Sequence, residues 1–192
     1  MRALLAIAST LCVLAGCDTA RTNTQPGPFA QEVLTAAQGY KYLELVSTQE
    51  RLAPELCRAV DSVTSQSRAG AMSPHGSKLY LMWARDAQTY FDTPDVHAAL
   101  GQTLVKQSFE ARQELTTAQA PGETIAHLTT GNQTEFFVMY KADPSDTRTD
   151  NGWVYGIVSA DLSRTIASGR LATCMACHTK RETRLFGMRD AK

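Results

Sequence analysis

The spacing of apolar positions divides the chain into a helical first part and a strand-rich remainder. From Phe29 onward, Val33, Ala37, Tyr40, Leu43 and Val46 recur every three or four residues, the period of one helix face. After a break near Thr48, Leu52, Leu56, Val60 and Val63 carry the pattern on to about Ser65. Pro54 falls in the first turn of that second helix, where proline is tolerated. Gln66 to Gly76 contains Gly70, Pro74 and Gly76 and predicts a loop. Beyond it the texture changes. Lys78 to Trp83 is a compact, aromatic-rich apolar run and predicts a buried strand, as do Gly101 to Phe109, Glu135 to Lys141 and Gly152 to Val158. Asp86 to Leu100 predicts short helical pieces broken at Pro94. Asp143 to Asn151, with Pro144 among Asp, Ser and Thr, predicts a hairpin loop. N-terminal helices followed by several strands predict an α+β fold with an antiparallel sheet, and no internal repeat is present.

The segment before Phe29 has another character. Residues 1–16 read as an export signal: Arg2, then an apolar run from Ala3 to Ala15 that is too short to span a bilayer. Leu14-Ala15-Gly16-Cys17 resembles a bacterial lipobox, which implies a lipid on Cys17 and a chain tethered to a membrane without crossing it. An ordinary secretory signal is the alternative. Residues 17–28 are polar, end in Pro26-Gly27-Pro28 and predict a flexible tether; residues 29–192 then form the domain. The expected location is the periplasmic face of a bacterial envelope. Asp18 resembles an inner-membrane retention signal, a rule that transfers poorly between bacterial groups.

Charge removes one class of function. The 192 residues carry 19 basic and 19 acidic side chains, and loss of residues 1–16 leaves 18 and 19. Without a basic excess the chain is not a general nucleic-acid binder. Its 43% hydrophobic content is enough for one core.

The five cysteines make an odd set that position resolves. Cys12 leaves with the leader and Cys17 takes the lipid. Cys57 sits at an apolar helical position, as a buried thiol or one half of an intermolecular disulfide. The other two lie in Cys174-Met175-Ala176-Cys177-His178. C-x-x-C-H is the spacing that attaches a c-type haem, with Cys174 and Cys177 as thioether anchors and His178 as the proximal iron ligand. That attachment requires an exported chain, which the leader supplies independently. A redox C-x-x-C or half of a zinc site is the alternative, but zinc lacks a second cysteine pair here.

Only 14 residues follow His178, and Met188 is too near it in sequence to reach the opposite haem face. The distal position is therefore filled from upstream or left open. An open site binds and transforms small molecules, whereas a closed one moves electrons. His75 could be a sixth ligand or a proton carrier; a hydrogen-bonded loop histidine is the alternative. His97 and His127 read as surface or loop. Met82, Phe136, Phe137, Met139 and Trp153 could cap the haem or be ordinary core.

Leu79-Tyr80-Leu81-Met82, Gly101-Gln102-Thr103-Leu104-Val105-Lys106 and Gly152-Trp153-Val154-Tyr155, leading to the haem motif, resemble the cytochrome P-four-sixty and cytochrome c-prime-beta family over about residues 75–186. The resemblance implies an antiparallel sheet holding one covalent haem c, often a homodimer, with a redox partner protein and a small-molecule substrate or gas ligand. P-four-sixty members oxidise hydroxylamine and nitric oxide and carry a lysine bonded to the haem ring. The c-prime-beta members lack that bond and bind nitric oxide or carbon monoxide at an open, aromatic-capped face. Lys106 matches the bonded lysine, 72 residues before His178, on the strand face led by Leu104. A solvated lysine on an edge strand is the alternative. One departure concerns protons. The P-four-sixty reaction is expected to use a distal carboxylate, and Leu162 to Thr173 contain none; Asp161, Glu110 and Glu182 are the nearest. The expected function is therefore action on, or binding of, small nitrogen oxides. Gas binding without turnover and simple electron transfer are the alternatives.

Overall fold

A computed structural model describes residues 26–46, 65–66, 75, 78–92, 98–117 and 124–186. Its frame is a seven-stranded antiparallel sheet of β1 (Glu44–Leu45), β2 (Ser65–Gln66), β3 (Lys78–Ala84), β4 (Thr103–Thr117), β5 (Thr124–Lys141), β6 (Trp153–Ser159) and β7 (Thr165–Gly169). The path runs β1-β3-β4-β5-β6-β7, and β2 also pairs with β3. The helices are short: α1 (Ala30–Gln38), α2 (Ala87–Asp92) and α3 (Ala172–His178), with one 3-10 turn at Tyr40–Tyr42.

The α+β expectation is thereby corrected, because the described chain is dominated by its sheet. The helix expected from Phe29 to Thr48 ends at Gln38, where Gly39 caps it with backbone bonds to Thr35 and Ala37 carbonyls. Leu43 is already extended, and Glu44–Leu45 pair with Trp83 and Ala84. The three-to-four period from Tyr40 to Val46 thus serves a tight turn and a strand that bury the same side chains. The second expected helix, with Cys57, lies outside the described residues. So do the leader, Cys17, Pro94, His97 and Met188. Among the described residues no helix is long and apolar enough to cross a membrane.

The four expected strands are present, but two are much longer than their apolar cores. β4 and β5 pair from Thr103↔Tyr140 out to Thr117↔Thr124, whereas β3 ends its pairing at Glu110 and β6 at Glu135. Thr, Gln and Arg fill the outer part, with too few apolar positions for a periodic signal. The Asp143–Asn151 loop is there, pinned by Asp143 accepting from the Ser145 amide at 2.8 Å and Asp146 from the Arg148 amide at 2.9 Å.

Strand alternation gives the sheet two apolar faces. On one, α1 sets Val33 and Ala37 against Val105, Phe136, Val138, Val154 and Val158, with the Tyr40 ring edge-on to Trp83 at 5.2 Å. On the other, Ala84, Leu104, Trp153 and Tyr155 pack with Cys174 and Leu185 from the C-terminal segment. Gly156 permits the first arrangement. A Cβ there would lie 2.3 Å from Val33 Cγ1, so α1 rests directly on the β6 backbone. Gly156→Ala is expected to destabilise the fold by about 1–3 kcal/mol, read as a lowered urea midpoint. Val33→Ala in the same chain should recover part of the loss, since it removes the clashing methyls.

Candidate functional site

The C-terminal face gathers the residues that carry chemistry. Cys174, Cys177 and His178 lie on α3, with Cys174 buried and Cys177 exposed. Spacings of three and four put all three on neighbouring turns of one helical face. Burial pushes the Cys174 thiol pKa up, which keeps it protonated. The His178 Nδ1 donates to the Arg184 carbonyl at 2.7 Å, so Nδ1 carries the proton and Nε2 is left with its lone pair. Burial is the main force lowering the His178 pKa; the Arg184 carbonyl opposes it, and the charge of Lys106 adds to it.

The loop after α3 is what holds that carbonyl. Arg184 has a positive φ of 65° and turns its guanidinium onto Asp150, Nε to Oδ2 at 2.9 Å and Nη2 to Oδ1 at 3.0 Å. Tyr155 donates its hydroxyl to Asp150 Oδ2 at 2.8 Å. Trp153 donates its indole N–H to the Thr183 carbonyl at 2.9 Å. The Tyr155 ring lies 5.3 Å from the His178 ring and Phe186 5.2 Å from it.

Opposite His178 stand His75, Lys106 and Phe137. The His75 ring meets Phe137 edge-on at 4.4 Å, and its centre is 6.5 Å from that of His178. Its Nδ1 is buried with no hydrogen-bond partner among the described residues. Desolvation, then the charges of Lys106, His178 and Lys78, lower its pKa to about 3. Lys106 is not on an edge either. It pairs with Met82 on one side and Phe137 on the other, in the sheet interior. Its Nζ sits 4.0 Å above the Tyr80 ring, and burial, with Lys78 nearby, lowers its pKa to about 8. Ser108, two residues on, is fully buried with an unpartnered hydroxyl.

The remaining candidates sort by face. Phe137, Met139, Met82 and Trp153 belong to this side, while Phe136 lies in the α1 core. His127 pairs with Glu114 in the outer hairpin. Asp161 caps its own turn, hydrogen-bonded to Ser159 and Ser163. Glu110 is exposed beside Arg112, and Glu182 sits in the loop on the Nδ1 side of His178. A carboxylate that the sequence reading passed over, Glu135, lies two residues before Phe137 on its strand and is ion-paired with Lys78. Asp150, Tyr155 and Arg184 were passed over too, because their contacts join residues up to 34 apart.

The donor set suits a c-type haem: two thiols, an imidazole with its Nε2 free, an apolar wall, and two buried polar atoms lacking partners. Among the described residues no three His, Cys, Asp or Glu side chains cluster as a protein-only metal site. Comparison with protein-family models, curated proteins and solved structures finds no match to this chain.

The buried histidine gives a pH signature. His75 titrates near 3 in the fold and near 6.5 when unfolded. Between these values the unfolded chain binds the extra proton. Without cofactor the fold therefore loses stability as pH drops below 6.5, by at most about 1.4 kcal/mol per unit. Urea midpoints at pH 7 and 4.5 should fall less for His75→Gln than for the unaltered chain. Equal losses would show that His75 is not buried in its neutral form.

Proposed function

We propose that the chain is an exported, lipid-tethered, mono-haem c-type cytochrome of the P-four-sixty and c-prime-beta kind, acting on or binding small nitrogen oxides. The observation that carries this reading is the C-x-x-C-H helix packed on the sheet face that bears the buried Lys106, with His75 near His178. When bound, the haem supplies an iron centre that takes up electrons and coordinates small nitrogen oxides. Cys174 and Cys177 would anchor the group, and His178 Nε2 would bind its iron. Lys106 offers an amine that is largely neutral above pH 8, the form in which nitrogen can bond to carbon. His75 is held neutral, and with its pKa lowered to about 3 it is a weak proton acceptor that presents a nitrogen lone pair rather than a charge. Phe137 and Tyr80 exclude water from the same side.

A second reading has its own support. Two imidazoles bound to one metal at about 2 Å each place their ring centres roughly 6 Å apart. The 6.5 Å between His75 and His178 is close to that spacing, so both imidazoles would hold one iron and the protein would carry electrons.

The absorption spectrum of the purified, haem-matured chain separates the readings. The enzyme reading expects a reduced Soret band shifted strongly to the red, lost in Lys106→Arg, and no normal tryptic cleavage after Lys106 in the haem-bearing chain. An ordinary five-coordinate spectrum points to gas binding without turnover. Sharp low-spin bands, abolished by His75→Ala, point to electron transfer. A chain matured in the periplasm with no thioether-bound haem overturns all three.

A further inference from the structure

We infer that Asp150, Tyr155 and Arg184 form a positioning unit that fixes the orientation and donor strength of His178 toward iron. The inference rests on the haem reading above and deepens it.

Arg184 is in contact with both parties. Its side chain makes two parallel bonds to Asp150, at 2.9 and 3.0 Å, and its main-chain oxygen lies 2.7 Å from His178 Nδ1. Its third nitrogen, Nη1, donates to the carbonyls of Arg181 and Glu182 at 3.0 Å each, so the guanidinium also folds the loop around itself. The left-handed backbone at Arg184 is strained for a residue with a Cβ and persists because these contacts over-determine it. Tyr155 completes the unit by donating to Asp150 on one side and placing its ring beside His178 on the other. Asp150 thus accepts three hydrogen bonds from side chains.

Two physical effects follow. A short N–H···O=C bond at Nδ1 fixes the tautomer and the ring plane, and it draws electron density toward Nε2, which strengthens that nitrogen as a ligand. The guanidinium on Asp150 holds that carbonyl in place, together with the Trp153 indole on the neighbouring Thr183 carbonyl. Asp150 and Arg184 also cancel in charge, so the unit acts on His178 through geometry rather than through a net field.

The test uses the full haem-loaded chain and two readouts besides turnover: the reduction potential, and the iron–imidazole stretching frequency of the reduced five-coordinate form. Tyr155→Phe keeps the ring and the ion pair while removing one bond to Asp150. It should lower the stretch and raise the potential slightly. Arg184→Lys keeps the charge but loses the two-pronged contact, and Asp150→Asn weakens both prongs. Each should shift both quantities further in the same directions. Gly156→Ala, which loosens the opposite face, should shift neither. The inference is overturned if folded Tyr155→Phe and Arg184→Lys match the unaltered chain, or if Gly156→Ala produces equal shifts. Either result leaves thioether-bound haem in place, so it is distinguishable from failure of the haem reading, in which the unaltered chain carries no haem.

Discussion

Arg184 brings its guanidinium to a carboxylate that is 5% exposed, and the end of the chain is folded around that contact. Taking two charges out of water is costly, and the cost is met only when geometry is good and the remaining donors are used. Here the pair is two-pronged, Tyr155 donates to the same carboxylate, and Nη1 serves the loop's own carbonyls. Removing Arg184 would leave the Asp150 carboxylate buried without its charge partner, a loss of up to about 3 kcal/mol. Cys174 and Leu185 then close over Trp153, Tyr155 and Leu104 as the apolar consequence. The ion pair acts with the Trp153 indole on the Thr183 carbonyl and the buried Cys174 and Leu185 to hold the seven-residue helix in place.

The sheet has to supply two cores at once. Each strand therefore alternates between residues suited to α1 and residues suited to the C-terminal face. In β5, Phe136 and Val138 belong to the first and Phe137 and Met139 to the second. β6 solves the same problem differently. Gly156 removes a side chain where Val33 must approach, while Tyr155 reaches the other way toward Asp150. A lysine in such a sheet would ordinarily reach for solvent. Lys106 instead ends over Tyr80, where burial and Lys78 hold its pKa low.

What could be read from the sequence follows from how local each signal is. The C-x-x-C-H string is local and so was legible as a motif, whereas the short helix that carries it came only from the structure. Lys106 was legible because period-two alternation assigns a face without tertiary knowledge. His75 was legible only as a candidate, since its unpartnered Nδ1 depends on Phe137 far along the chain. The N-terminal helix was over-extended because Tyr40, Leu43 and Val46 satisfy a helical period while lying in a turn and a strand that bury similar residues. β7 and the outer halves of β4 and β5 carried too few apolar residues to register. The ion pair was invisible, as nothing near Asp150 in sequence names a partner 34 residues away.

The acceptor for His178 is a main-chain oxygen. Every amino acid at position 184 carries that oxygen, so no substitution there deletes it outright. What variation can disturb is the path of the loop, and the path is governed by Asp150, Trp153 and Tyr155 in other parts of the chain. Drift at the loop's other positions is therefore buffered, while changes at Arg184, or in and just before β6, fall on His178. Over evolutionary time the imidazole's support would diverge in sequence while persisting in shape, hidden from comparison by residue identity.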